Sequence, residues 1–391
     1  MVNQLLKQAA AATEQENWSL VNQYLQQLSL EKTNQFQQAL DLALKVLEQG
    51  DFQERWNLAK IFPKFGDLAI SPLIKILEDE ELDLEQRWFA GKILGEFNHP
   101  EVIFTLAKLL KTTEDEELAT ISAKALANLG KSSIDLLTNL LSEPNYRGLA
   151  TSALAQIRSR EVIGPLLKVA QDQEPSIRSV AIEALSSFHD PSITPVLIEA
   201  LNDYAAVVRK EAVIALGFRK DLATKLDLLN YLQPRLYDLN LEVSQQAAIA
   251  LGRLGTEQAA TALFDVVESS TTPIPLQITI IKALAWIETA VSIEYLQKSF
   301  PLVAEASILE LVRVLGRIES EVLKLNAAQI LLDFFDSGHP IVGTTPIKQA
   351  LAHAWGQLGN NLAVEALRHL SKDNDNRVKL QAVASLKRIV L

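Results

Sequence analysis

Between Glu161 and Lys220 the apolar residues return at helical spacing, in two bursts separated by a polar break. Ile163, Leu166, Leu167 and Ala170 fall at i, i+3, i+4 and i+7, and Ile177, Val180, Ala181, Ala184, Leu185 and Phe188 continue as one stripe over three turns. No strand-like alternation interrupts them. Pro175 stands at the start of the second stripe, where its missing N–H is harmless and its fixed φ suits a first helical turn. The following residues repeat the arrangement, with Asp172 and Asp203, Arg178 and Arg209, and Leu185 and Leu216 each 31 residues apart. A hairpin of two such helices cannot cover its own apolar faces, so it must stack on a neighbour, and a period near 31 residues belongs to stacked helical arrays.

The leucine of the second helix serves as a marker for walking outward. Its equivalents are Phe62, Leu94, Leu126, Leu154, Leu185, Leu216, Leu251, Leu284, Leu315, Trp355 and Leu386, separated by 28 to 40 residues with 31 recurring. Seven residues before the marker stand Arg55, Arg87, Arg147, Arg178 and Arg209, and the match of EPNYR (143–147) to EPSIR (174–178) fixes the register. The predicted fold is therefore all-α: an α-solenoid of about ten helix hairpins. Two domains are expected, an N-terminal helical cap over residues 1–48 and the repeat array over residues 49–391. The cap is read from its own stripes, Trp18, Val21, Leu25 and Leu28, then Phe36, Leu40, Ala43, Leu44 and Leu47, each backed by glutamines as an end unit requires.

The Pro-x-x-Arg opening of the second helix, the Leu-Gly near its end (Leu94-Gly95, Leu216-Gly217, Leu251-Gly252, Leu315-Gly316) and the Asp190-Pro191 link resemble the HEAT repeat. More closely, they resemble the short, phycobilisome-lyase-like HEAT repeats of cyanobacterial proteins. The resemblance spans roughly residues 50–391, and its matched residues build the stack rather than a reaction site. It implies a non-enzymatic scaffold or chaperone whose concave surface, lined by the second helices, holds a phycobiliprotein subunit such as a phycocyanin apo-subunit or assembly intermediate. It also implies an alternative, a bilin lyase or isomerase subunit acting on phycocyanin, and a third reading is a partner protein in iron–sulfur cluster assembly.

Composition narrows these classes. The 391 residues carry a net charge of −11 and no cysteine. The charge argues against nucleic acid, which needs clustered Lys and Arg. The missing thiols exclude disulfides, thiolate metal sites and a thioether to a bilin on this chain, so iron–sulfur work would need cysteines from a partner. No apolar run approaches a membrane span and the amino terminus carries no export signal, so a cytoplasmic, membrane-free protein is expected. The five histidines sit in turns or alone, no His-Glu dipeptide or H-E-x-x-H occurs, and no nucleophile elbow or phosphate loop is present. Neither a metal, a cofactor nor a catalytic residue is therefore expected.

Binding residues are sought next to the arginine ladder. The following position is Trp56, Trp88, Thr120, Gly148, Ser179 and Lys210 in successive units. Trp56 and Trp88, joined by Phe89, are the expected partner-binding residues, because aromatics are common interface anchors. Arg87 beside Trp88 and Phe89 is also the one short cluster suited to a bilin propionate. The ladder arginines are expected to tie successive units together. EDEEL occurs at 78–82 and 114–118 and reads as solvated turns whose carboxylates favour helix N-termini. Three inserts, at 217–227, 269–275 and 335–346, should be loops, the last of them exposed.

Overall fold

The computed structural model describes residues 2–29, 36–219 and 226–390. Among them are 24 α-helices joined by turns and short 3-10 segments, with no strand. Three helices open the chain, α1 (Val2–Glu14), α2 (Trp18–Leu28) and α3 (Phe36–Gln49), and they pack on one another and on the short α4 (Phe52–Ala59). Asn22 in α2 donates its side-chain amide to the Glu54 carbonyl at 3.0 Å.

Ten hairpins follow, and the chain divides into two compact units, Met1–His189 and Asp190–Leu391. In the first unit the hairpins are α5 (Ile70–Glu78) with α6 (Leu84–Leu94), α7 (Pro100–Thr112) with α8 (Glu116–Asn128), α9 (Ile134–Leu140) with α10 (Pro144–Gln156), and α11 (Ile163–Val169) with α12 (Pro175–Ser186). The second unit starts with α13 (Ile193–Ala200) and α14 (Ala206–Gly217), α15 (Leu228–Leu232) and α16 (Leu241–Leu254), and α17 (Glu257–Val267) and α18 (Ile274–Ile287). It ends with α19 (Ala290–Ser299) and α20 (Glu305–Leu315), α21 (Glu321–Asp336) and α22 (Thr345–Leu358), and α23 (Val364–Leu370) and α24 (Asn376–Val390). Within each unit the second helices lie side by side, α6 on α8, α8 on α10 and α10 on α12, then α14 through α24 in the same manner. The fold is an α-solenoid.

The core runs along the marker positions. From Phe62 to Trp355 every marker is fully buried, while Leu386, in the last helix, is half-buried. One marker sits differently from expectation: Phe62 lies in a 3-10 segment after α4, not in a second helix. Pro63 at its start and Gly66 at φ 60° inside it stop an α-helix from continuing there.

The Leu-Gly signature has a packing cause. A Cβ on Gly95 would stand 2.9 Å from the Ala125 Cβ in the next second helix, and one on Gly316 would stand 2.5 Å from the Ala354 Cβ. Gly217 and Gly252 face Ala250 and Ala283 in the same way. Glycine after one marker therefore meets alanine before the next, and the helix ends approach closely because neither side presents more than a methyl.

The inserts at 335–346 and 269–275 are more ordered than the sequence suggests. In 335–346 the extra length goes into the 16-residue α21 and a 3-10 turn at Pro340–Gly343. Phe335 is not a free loop residue, because its ring meets Trp355 edge-on at 5.6 Å. At 269–275 the buried Thr272 hydroxyl donates to the Val266 carbonyl and holds the turn. Residues 220–225 of the 217–227 insert lie outside the described residues.

Candidate protein-binding surfaces

Among the ladder arginines, Arg55, Arg147 and Arg209 reach a carboxylate of the next repeat, while Arg87 and Arg178 hold carbonyls of their own hairpins. Arg55 is buried and donates to the Glu85 carboxylate at 2.7 Å and the Glu48 carbonyl at 3.0 Å, with Asp83 at 3.6 Å. Arg87 donates its Nε–H to the Leu77 carbonyl at 3.1 Å. Arg147 joins the Leu141 carbonyl at 2.8 Å to the Asp172 carboxylate of the next repeat at 2.9 Å. Arg178 donates to the Asp172 and Gln173 carbonyls at 2.7 and 2.9 Å. Arg209 makes a two-pronged pair with Asp238, both bonds 2.7 Å, and also donates to the Asp203 carbonyl at 2.8 Å. The guanidinium fork suits this position because it satisfies the last carbonyls of a first helix and still reaches a carboxylate one repeat on.

Beyond Arg209 the same position is Ser244, Gln277, Ile308, Lys348 and Lys379, and the ladder continues at Gln277 and Lys348. Gln277 is buried, accepts the Ala304 N–H at 3.1 Å and the Ser307 hydroxyl at 3.0 Å, and donates to the Thr272 carbonyl at 3.2 Å. Lys348 meets Asp373 at 2.8 Å. Following arginine alone in the sequence misses both. The seven-residue offset from the marker finds them.

The two tryptophans next to the ladder belong to one aromatic group in the first unit. Phe52 lies nearly parallel to Trp56 with 6.1 Å between ring centroids, and meets Phe89 edge-on at 5.3 Å. Phe89 in turn meets Trp88 at 5.1 Å. Phe52 is 53% and Trp56 37% exposed, and Trp88 is half-buried. The Lys92 ammonium stands over the Trp56 ring, 4.5 Å from its centroid, a cation–π arrangement. Phe89 corrects the sequence reading: it is fully buried, so it supports the patch from beneath and has no surface to offer a partner. Phe52 takes its place. It stands one turn before Trp56 in α4, and the offset i, i+4 was the available signal.

A second set, exposed except for the half-buried Arg253, occurs in the second unit two residues after the markers from Leu216 to Trp355: Phe218, Arg253, Trp286, Arg317 and Gln357. Phe218 is 62% and Trp286 56% exposed. The Arg253 guanidinium lies over the Phe218 ring at 4.2 Å. Between α20 and α22 a groove of about 470 Å³ opens, with Arg313 and Arg317 on one wall and Gln349, His353 and Gln357 on the other.

The family model for HEAT repeats matches residues 70–155, 134–217, 163–235 and 194–280, which together cover more than half of the chain. The chain belongs to the HEAT-repeat family. No curated protein sequence matches it. Among solved structures, importin beta is similar over 97% of this chain and 59% of its own at 15% identity, with a TM-score of 0.55. The karyopherin Kap121p, bound to the extreme C-terminus of the protein phosphatase Cdc14p, is similar over 95% of this chain and 51% of its own at 15% identity, TM-score 0.54. This HEAT-repeat chain thus spans only half to three fifths of those karyopherins, and the likeness concerns the fold. Human deoxyhypusine hydroxylase, in complex with glycerol, matches over 66% of this chain and 96% of its own at 18% identity, but its TM-score of 0.29 carries no argument.

In this HEAT array the acidic turns have local work. Asp83 and Asp115 cap α6 and α8, accepting backbone N–H groups of the first turn, and Glu78 pairs with Lys108 at 2.8 Å. Among the described residues no cluster of His, Asp and Glu is arranged to hold a metal ion, and no helix is long and apolar enough to cross a membrane.

Proposed function

We propose that this HEAT-repeat chain is a non-enzymatic scaffold that holds a protein partner on its second helices. The observation that carries this reading is the patch of Phe52, Trp56 and Trp88. Phe89 already fills the core beneath it, so the exposed rings add nothing that packing requires, and large aromatics left at the surface around a cation are typical anchors of interfaces. Arg55, Arg147 and Arg209 serve as ties between repeats, since each bonds a carboxylate of the next repeat. Residues 1–48 act as the end cap of the array.

The resemblance of the sequence to phycobilisome-lyase-like repeats makes a phycobiliprotein subunit in a cyanobacterial cytoplasm the partner to offer first. The bilin-lyase alternative gains nothing from the Arg87, Trp88 and Phe89 cluster, in which Phe89 is buried and Arg87 is bonded to Leu77. Titration of the full chain with purified phycocyanin apo-subunit, followed by interferometry, should give saturable binding. Trp56→Ala should weaken it by roughly tenfold or more, as truncation of an interface anchor does. No binding rejects that partner. The scaffold reading itself is tested with a photo-reactive phenylalanine analogue at position 56, which should trap a protein in cells of the source where the same analogue at position 101 does not. Equal or absent trapping at the two positions overturns it.

A further inference from the structure

We propose that the second-helix side of the unit Asp190–Leu391 is a track for an extended acidic segment of a partner protein, read by Phe218, Arg253, Trp286 and Arg317. This rests on the scaffold reading but uses none of the residues of the N-terminal patch.

The four side chains stand at one register position of successive second helices, so they form a row. Neighbouring helices in such a stack lie roughly 10 Å apart. A segment in the polyproline II conformation brings every third residue back to the same side after about 9 Å. Its residues i, i+3, i+6 and i+9 therefore meet an aromatic, an arginine, an aromatic and an arginine in turn. Apolar side chains suit the first and third positions, and carboxylates suit the second and fourth.

Charge selects the occupant. The whole chain is at −11, yet among the described residues no carboxylate pairs with Arg253 or Arg317. Stacking on Phe218 leaves the edge of the Arg253 fork open for a carboxylate. Arg317 borders the groove between α20 and α22, where Arg313, His353 and Gln357 surround space enough for a glutamate side chain. The row is not uniformly basic: Glu310 stands 3.8 Å from both Lys282 and Arg313, and Glu288 accepts the Glu319 N–H at 3.3 Å near Arg317. A nucleic-acid strand would carry its unbroken phosphates past these carboxylates. A peptide places its charges only where the arginines are.

The test is fluorescence anisotropy on the full chain with a labelled peptide of about 12 residues, leucine at the first and seventh positions and glutamate at the fourth and tenth. It should bind saturably, and binding should weaken as salt rises from about 50 to 500 mM. A peptide with lysine for glutamate should bind roughly tenfold or more weakly. The double variant Arg253→Glu with Arg317→Glu should reverse this preference, a gain that a misfolded variant cannot show. Trp286→Ala should weaken both peptides, and Trp56→Ala neither. Equal binding of the two peptides, no reversal in the double variant, or tighter binding of a 12-nucleotide oligothymidylate through the same arginines overturns the proposal. Peptide binding that survives while the phycocyanin titration fails leaves this track standing and removes only the partner of the N-terminal patch.

Discussion

A single methyl group decides how close two repeats can come. Gly316 lies against Ala354 with room for a hydrogen and nothing larger, whereas Gly148 has open space around its Cα. Gly316→Ala should therefore destabilise the chain by about 1–3 kcal/mol through overpacking, seen as a lowered midpoint in urea. Gly148→Ala, in the middle of α10, should be neutral or stabilising by less than about 1 kcal/mol. Gly148 lies inside α10 and Gly316 is the C-cap of α20, so a loss at 316 larger than the propensity gain of up to about 1 kcal/mol available at 148 measures the seam. The Leu-Gly pair was legible as a family signature. Its cause was not, because the alanine it faces lies a whole repeat away in sequence.

At the scale of helices, the tie between α14 and the turn before α16 has a pH signature. Burial by itself raises the Asp238 carboxyl, but hydrogen bonds from the Arg209 side chain and the Asn240 N–H, with the charges of Arg209 and Arg235, outweigh it and hold the group below the ordinary carboxylate range. A carboxylate depressed in the folded state contributes stability that is present above its unfolded value near pH 4 and is lost as pH falls through the lower, folded value. Asp238→Asn should lower stability at pH 7 and flatten its acid dependence below about pH 4. Arg209→Ala, which strands a carboxylate with 4% of its side chain exposed, should cost on the order of 3 kcal/mol at neutral pH. Urea melts of both variants at pH 3 and pH 7 check the sign. Elements of this kind were readable in advance where the apolar stripe was long, as in α12, α16 and α18. They were not readable where a 3-10 turn does the work, as after α4 and before α5. There Phe62 matches the marker by spacing but is placed by Pro63 and Gly66. The candidate surfaces were half legible for a related reason. Trp56 and Trp88 sit beside the ladder arginine and were found. Phe218, Arg253, Trp286 and Arg317 lie just past the apolar stripe, where burial imposes no pattern to follow.

At the scale of the whole chain, stability is built from neighbours. Within each unit a hairpin is held by its neighbours, so a local defect should stay local. Hydrogen exchange of the Gly316→Ala protein should show faster exchange in residues 290–370 and unchanged exchange in residues 100–180, and a uniform increase along the chain would contradict the nearest-neighbour picture.

The glycine-to-alanine seam also defines what can be copied. Where a second helix offers a small residue backward before its marker and another forward after it, as α8, α10, α12, α14, α16, α18 and α22 do, a segment cut from one seam to the next carries both halves of the joint. Such a segment can be duplicated or deleted in frame without creating a mismatched surface, so length in this architecture is adjustable in whole units, and the row of side chains two residues past the marker lengthens or shortens with it.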